Sequence, residues 1–121
     1  MADKLRVGVI GCGDMSRNHV FGYLRADRYE IVALADLSTE AMKDFDEHFA
    51  EYSHYKAEHF TDFREMLTQS TLDVVSIGVW DKGHKPMTLA AAASGVKAIL
   101  CEKPMADTLG AAADMRLVCN R

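Results

Sequence analysis

Two features of this sequence carry groups suited to binding a nucleotide. The first is the glycine turn at residues 11–16, Gly-Cys-Gly-Asp-Met-Ser, and the second is the single carboxylate of Asp36. Glycines let a phosphate approach the backbone closely, and a carboxylate accepts hydrogen bonds from ribose hydroxyls. A dinucleotide offers both groups, so the chemistry to test for first is dinucleotide binding.

The glycine turn lies between an apolar run and a segment with helical spacing. Gly11 permits a tight turn, and Gly13 leaves room for a pyrophosphate beside the unpaired amides and positive dipole end of a helix. Ser16 stands where a third glycine or alanine is usual, and it is small enough for the helix to pack closely on the strand. The alternative is an ordinary turn between strand and helix. The predicted contacts of this segment with a cofactor are Gly11, Cys12, Gly13, Asp14 and Met15.

Asp36 ends the second apolar run, where its side chain can bind the adenosine ribose. A carboxylate there repels the 2′-phosphate of NADP, and no arginine occurs between Leu37 and Glu47, so NAD is predicted over NADP. Lys43 could approach the 2′-phosphate and so weaken the preference for NAD. The alternative role for Asp36 is to cap the next helix.

The elements that must position these groups alternate between strand and helix. Short β-branched or apolar runs predict strands, and helical periodicity with caps predicts helices. The predicted strands are residues 5–10, 31–35, 57–59 (a weak edge strand), 74–79 and 98–101. The predicted helices are 14–25, from Ser38 or Thr39 to 49, 62–69, 85–94 with Pro86 in its first turn and Gly95 after its end, and from Asp107 or Thr108 to 119.

This alternation predicts an α/β fold of the Rossmann type, a doubly wound parallel sheet with helices on both faces. A length of 121 residues suits one domain. The usual dinucleotide fold has about six strands, so the last strand is expected after Arg121.

Composition excludes several other classes of protein. The net charge of −4 comes with no basic stripe, so no nucleic-acid partner is predicted. The cysteines Cys12, Cys101 and Cys119 are odd in number and widely spaced, which indicates a reducing, cytoplasmic setting without disulfides or zinc. His48, His54 and His59 do not form a metal-ligand pattern, and no apolar stretch predicts a membrane span.

A third motif, Glu102-Lys103-Pro104, follows the last predicted strand. Together with Gly11-x-Gly13, His19, Asp36 and the run Ala-Ala-Ala-Ala-Ser-Gly-Val at residues 90–96, it resembles the glucose-fructose oxidoreductase and inositol dehydrogenase family, Gfo/Idh/MocA. The resemblance covers nearly the whole chain. His19 itself is interpreted as a hydrogen-bonded structural histidine on the first helix.

The resemblance implies that Lys103 lies beside the nicotinamide as the catalytic acid or base, and that Glu102 contacts the nicotinamide ribose. It also implies that Gly78, Val79 and His84 line the cofactor site. Trp80 departs from the family's small, proline-containing loop. It is either a stacking wall for cofactor or substrate, or a rim residue facing another domain.

The family's second domain, which supplies further catalytic residues for a sugar or polyol substrate, is absent from this sequence. A fragment of a longer protein is therefore expected, one that binds NAD without substantial dehydrogenase activity. An uncovered sheet edge would favour self-association into a homo-oligomer.

Two other functions stay open at this point. The first is a sensor or regulatory Rossmann module that binds the dinucleotide without chemistry. The second is a methyltransferase, because a glycine turn and an acid after the second strand also suit S-adenosylmethionine; Glu102-Lys103-Pro104 argues against it.

Overall fold

The computed structural model describes residues 4–78 and 81–101, and for residues 14, 15, 81–85 and 101 it gives the backbone alone. Strands and helices alternate throughout this part of the chain. In order they are β1 Leu5–Ile10, α1 Asp14–Ala26, β2 Tyr29–Ala35, α2 Thr39–His48, β3 Tyr55–Phe60, α3 Phe63–Gln69, β4 Val74–Ile77, α4 Asp81–Ala93 and β5 Ala98–Cys101.

The five strands form one parallel sheet in the order β3-β2-β1-β4-β5. The chain runs outward from β1 to β3, then crosses back to β4 on the other side of β1. Ile10 pairs with both Ala35 and Ile77, so the carboxyl ends of the three central strands are level. Open α/β sheets bind ligands at the point where the winding direction reverses, and here that point lies beside β1. The predicted Rossmann-type sheet is confirmed.

The central strands β1 and β4 are short and apolar because both faces of the sheet are covered there. All four residues of β4 are buried, as are the last four of β1. One core packs the sheet against α1 and α2, and its large members include Leu34, Met42, Phe45 and Phe49. The other core packs against α3 and α4 and includes Ile10, Met66, Ile77 and Ala91. Truncating a fully buried Phe45 to alanine would cost about 3–5 kcal/mol.

The helix ends follow the local chemistry of the sequence. The Ser38 hydroxyl accepts a hydrogen bond from the amide of Ala41 at 3.1 Å, and the Asp62 carboxylate accepts one from Arg64 at 2.9 Å. Caps of this kind stabilise a helix by about 1 kcal/mol each. Gly95 has the left-handed φ of 89° predicted for it.

Several predicted boundaries differ from the structure, among them the start of β2, which is Tyr29 rather than residue 31. Helix α4 begins at Asp81 rather than at residue 85, so Pro86 is inside the helix and not in its first turn. Having no N–H, Pro86 leaves the carbonyl of Lys82 without its helical bond. Strand β4 ends at Ile77 because its neighbour β1 ends at Ile10; Gly78 donates one last hydrogen bond to Ile10 and leaves the ladder.

A further difference concerns the edge of the sheet. The weak strand predicted at 57–59 is a six-residue edge strand, Tyr55–Phe60, whose sequence reads half polar because much of it faces solvent. The last predicted helix, from Asp107 or Thr108 to 119, lies outside the described residues.

Candidate functional site

A cavity of about 540 Å³ opens at the carboxyl edge of the sheet, beyond the ends of β1, β2 and β3. It is lined by Gly11 from the first of these loops, by Asp36 from the second, and by residues that open α3. Pockets of this size accept a small organic ligand. The glycine turn and the acid singled out from the sequence therefore share one cavity.

The glycine turn is open toward this edge. Gly11 has a left-handed φ of 87°, which favours glycine, and its amide is bonded to the Ala35 carbonyl at 2.8 Å. A methyl group built on Gly13 would meet nothing within 4 Å. Gly13 is the residue before α1 and has no side chain to cap it, so among the described side chains none caps the first-turn amides. This arrangement can take an anion.

Asp36 is held in place by two backbone amides. Its Oδ2 accepts a hydrogen bond from Cys12 and its Oδ1 accepts one from Ser38, both at 2.8 Å. The residue that caps α2 is Ser38 and not Asp36. The carboxylate therefore joins the glycine turn to the loop after β2, and it faces the cavity.

Cys12 contributes backbone to the turn and its thiol to the core. The side chain is only 5% exposed and packs with the residues under α1. Burial, and then the charges of Asp36 and Asp46, raise the pKa of the thiol to about 12. The thiol is thus neutral and is not a nucleophile at ordinary pH.

Gly78 allows the end of β4 to approach α1 closely. A β-carbon at this position would overlap the hydroxyl of Ser16. Ser16 is fully buried, and its hydroxyl has no hydrogen-bond partner in the part of the chain that the structure describes. A side chain at position 78 would have to displace the Ser16 hydroxyl, just where the crevice beside β1 opens.

His19 has the structural role predicted for it. Its Nδ1 lies 2.9 Å from the hydroxyl of Ser76, a buried residue of β4. Tyr23, one turn further along α1, also bonds Ser76, and burial raises the pKa of its phenol. These side chains fasten α1 to the sheet.

Several predicted site residues cannot be compared with the structure. Val79, Trp80, Glu102 and Lys103 lie outside the described residues, as do the side chains of Asp14, Met15 and His84.

The structure adds site residues that sequence reasoning missed. The cavity is also lined by Leu37, Thr61, Asp62, Phe63 and Arg64. The signal that could have located the last four is the edge strand β3, because residues after a parallel strand reach the same edge as Asp36. The weak pattern of β3 hid that relationship.

Within residues 4–78 and 81–101, no three histidine, cysteine or acidic side chains lie together as metal ligands would. None of the helices in that part of the chain has the length and apolar character needed to cross a bilayer.

Comparison with known sequences gives consistent matches. The family model described as oxidoreductase family, NAD-binding Rossmann fold (Gfo/Idh/MocA) matches residues 5–121. D-apiose dehydrogenase of Paraburkholderia graminis is 36% identical over 118 residues, which are 98% of this chain and 30% of the relative. Inositol 2-dehydrogenase of Burkholderia multivorans is 32% identical over 105 residues, 86% of this chain and 30% of the relative. The chain spans about 30% of the length of these curated relatives.

Solved structures give the same picture. The WlbA dehydrogenase of Bordetella pertussis, in complex with NADH and UDP-GlcNAcA, superposes with a TM-score of 0.85 at 26% identity, over 99% of this chain and 34% of that one. The myo-inositol dehydrogenase of Lactobacillus casei, in complex with NAD(H) and myo-inositol, gives 0.82 at 28% identity, over 95% and 33%.

Proposed function

Because this chain belongs to the Gfo/Idh/MocA oxidoreductase family, we propose that it is the NAD-binding part of a dehydrogenase that acts on a sugar, polyol or related hydroxy compound. The observation that carries the proposal is the cavity shared by the open glycine turn and the Asp36 carboxylate. Both ends of an ADP-ribose group find a matching partner there.

The glycine turn fits a pyrophosphate. The space beside Gly13 is empty, and the first-turn amides of α1 point to the same edge without a side-chain cap. Backbone N–H groups and the positive end of the helix dipole stabilise an anion at this position.

Asp36 fits the adenosine ribose. Two backbone amides hold the carboxylate, and its remaining lone pairs are free to accept hydrogen bonds from the 2′- and 3′-hydroxyls. The negative charge disfavours the 2′-phosphate of NADP, which supports NAD as the cofactor.

Lys103 is the proposed acid or base and Glu102 the proposed ribose contact, both through the family motif Glu102-Lys103-Pro104. When bound, NAD supplies the acceptor for the hydride that leaves the substrate carbon. The task of Lys103 is to take the proton of the substrate hydroxyl, and to return it in the reverse direction. An amine with a lowered pKa suits this task.

The substrate site is proposed to lie in the remainder of a longer protein. The relatives that match are a D-apiose dehydrogenase and inositol 2-dehydrogenases, about three times as long as the matched segment. A cytoplasmic location, assembly into oligomers and the role of Trp80 also stay as proposals.

Fluorescence titration of the 121-residue chain with NADH tests cofactor binding. Gly13→Val fills the space beside the turn. We expect this substitution to lower the affinity for NADH at least about tenfold, the effect of losing a hydrogen bond to a charged group. Gly22→Val is the matched control, since Gly22 also has open space around it but lies within α1 away from the turn. Equal affinities for the two variants would contradict the pyrophosphate assignment.

A further inference from the structure

Arg64 stands out among the cavity residues because its guanidinium has no ion-pair partner among the described residues. Its guanidinium lies over the ring of Phe63, with Cζ 5.1 Å from the ring centroid. Among the described residues, no carboxylate or carbonyl accepts a hydrogen bond from it. A planar cation supported on one face by an aromatic ring leaves its other face free for a second flat group.

The neighbouring loop, after β2, presents an apolar side chain to the same cavity. Leu37 follows Asp36, and 92% of its surface is exposed. It lines the cavity together with Phe63 and Arg64, from the loop next to theirs at the sheet edge. An exposed leucine and a guanidinium supported by an aromatic ring, both lining one cavity, suit a flat, weakly polar ring.

We infer that Arg64 is an adenine-stacking residue, and that Leu37 and Arg64 form the two sides of a purine slot that sets the affinity for the adenosine end of the dinucleotide. This inference rests on the proposed function. Guanidinium planes stack on nucleobases as aromatic rings do.

The same arginine could instead bind a 2′-phosphate, but the cavity argues against that role. Asp36 lines the same cavity, and backbone amides hold its carboxylate in place. A phosphate close enough to pair with Arg64 there would also approach this fixed negative charge, which would cancel much of the attraction. Neutral adenine stacks on Arg64 without such a penalty.

Titrations of the full 121-residue chain with NADH, NADPH and reduced nicotinamide mononucleotide test the inference. The mononucleotide carries no adenine. Arg64→Met keeps much of the length of the side chain but removes the planar guanidinium and its charge. Arg64→Lys keeps the charge but removes the planar guanidinium. Arg28→Met is the matched control, because Arg28 is exposed at the opposite, amino-terminal edge of the sheet.

We expect both Arg64 variants to bind NADH roughly fivefold more weakly than wild type, the size of a partly exposed cation–π contact. Reduced nicotinamide mononucleotide should bind all variants equally, and Arg28→Met should match wild type throughout. Full retention of NADH affinity by Arg64→Met would overturn the inference while leaving NADH binding by the domain intact. A larger loss for NADPH than for NADH, or full rescue by Arg64→Lys, would overturn it in favour of phosphate recognition. Absence of NADH binding by the wild-type chain would overturn the proposed function as well.

Discussion

The Asp36 carboxylate accepts a hydrogen bond from the backbone amide of Cys12, with Oδ2 2.8 Å from the nitrogen. This contact ties the end of β2 to the glycine turn after β1. Because Oδ1 is bonded to Ser38 as well, one side chain fixes the geometry of both loops at the cavity. Asp36 thus has a structural task besides its proposed contact with ribose.

Asp36→Asn should lower the affinity for NADH about tenfold and shift the cofactor preference toward NADPH. The amide keeps one acceptor oxygen but loses the charge, and hydrogen bonds to charged groups contribute about 1.5–3 kcal/mol. Competition titrations with both cofactors measure the shift. Asp44→Asn, an exposed site on α2, is the control. An unchanged ratio of the NADH and NADPH affinities would mean that Asp36 does not face the ribose.

Gly78→Ala should destabilise the fold by about 1–3 kcal/mol, because its methyl group overlaps the Ser16 hydroxyl. Adding Ser16→Gly removes the obstacle and should restore much of the loss. Gly22→Ala, where a methyl meets open space in α1, should be neutral or slightly stabilising. Urea unfolding of the three variants gives the comparison. If the double variant is no more stable than Gly78→Ala, the close approach of Ser16 is not the cause.

The Cys12 thiol should resist alkylation at pH 8 in the native chain and react readily in urea. Burial raises its pKa from the ordinary value of 9.0 to about 12. The pKa of the thiol is higher in the folded chain than in the unfolded chain. The contribution of the neutral thiol to the free energy of unfolding is therefore fully present below pH 9.0 and is lost as the pH rises toward 12. Peptide mapping after iodoacetamide treatment measures the labelling. Equal labelling of the native and unfolded chains would show that the thiol is accessible.

Asp73 should stabilise the fold at neutral pH and lose its effect in acid. The Arg6 amide donates to its Oδ2 at 2.9 Å, and this bond, with help from Lys97, holds the pKa of the carboxyl below its ordinary 3.8. A lowered folded pKa means that the contribution is present above pH 3.8 and disappears as the pH falls through the folded value. Asp73→Asn should therefore cost roughly 1 kcal/mol at pH 7 and little at pH 2. A cost independent of pH, measured by urea unfolding, would rule out the charge as its source.

Lys103→Ala, made in the longer protein, separates the dehydrogenase from a binding module without chemistry. We expect hydride transfer to fall at least about a hundredfold, as loss of a general base does, with NAD affinity nearly unchanged. Single-turnover absorbance of NADH with the physiological substrate, beside an NAD titration, measures both quantities. Retained turnover would remove Lys103 from the mechanism.

Local patterns were sufficient for much of this protein. The buried run of β1 and the cap at Ser38, one of the two residues proposed to begin α2, are properties of neighbouring residues, and the structure has them where the sequence predicts them. The glycine turn could also be predicted locally, because the left-handed φ at Gly11 depends on that residue and its neighbours in the chain. Family membership followed from these motifs in combination.

The purine side of the cavity could not be predicted in the same way. Arg64 is far from Asp36 in the sequence, and the two share a cavity only because β3 pairs with β2 in parallel and brings its carboxyl end alongside. The bond from Cys12 to Asp36 and the overlap of Ser16 with a side chain at position 78 likewise join different elements. Periodicity and propensity describe one element at a time, whereas contacts between elements depend on strand register and on how closely a helix packs against the sheet.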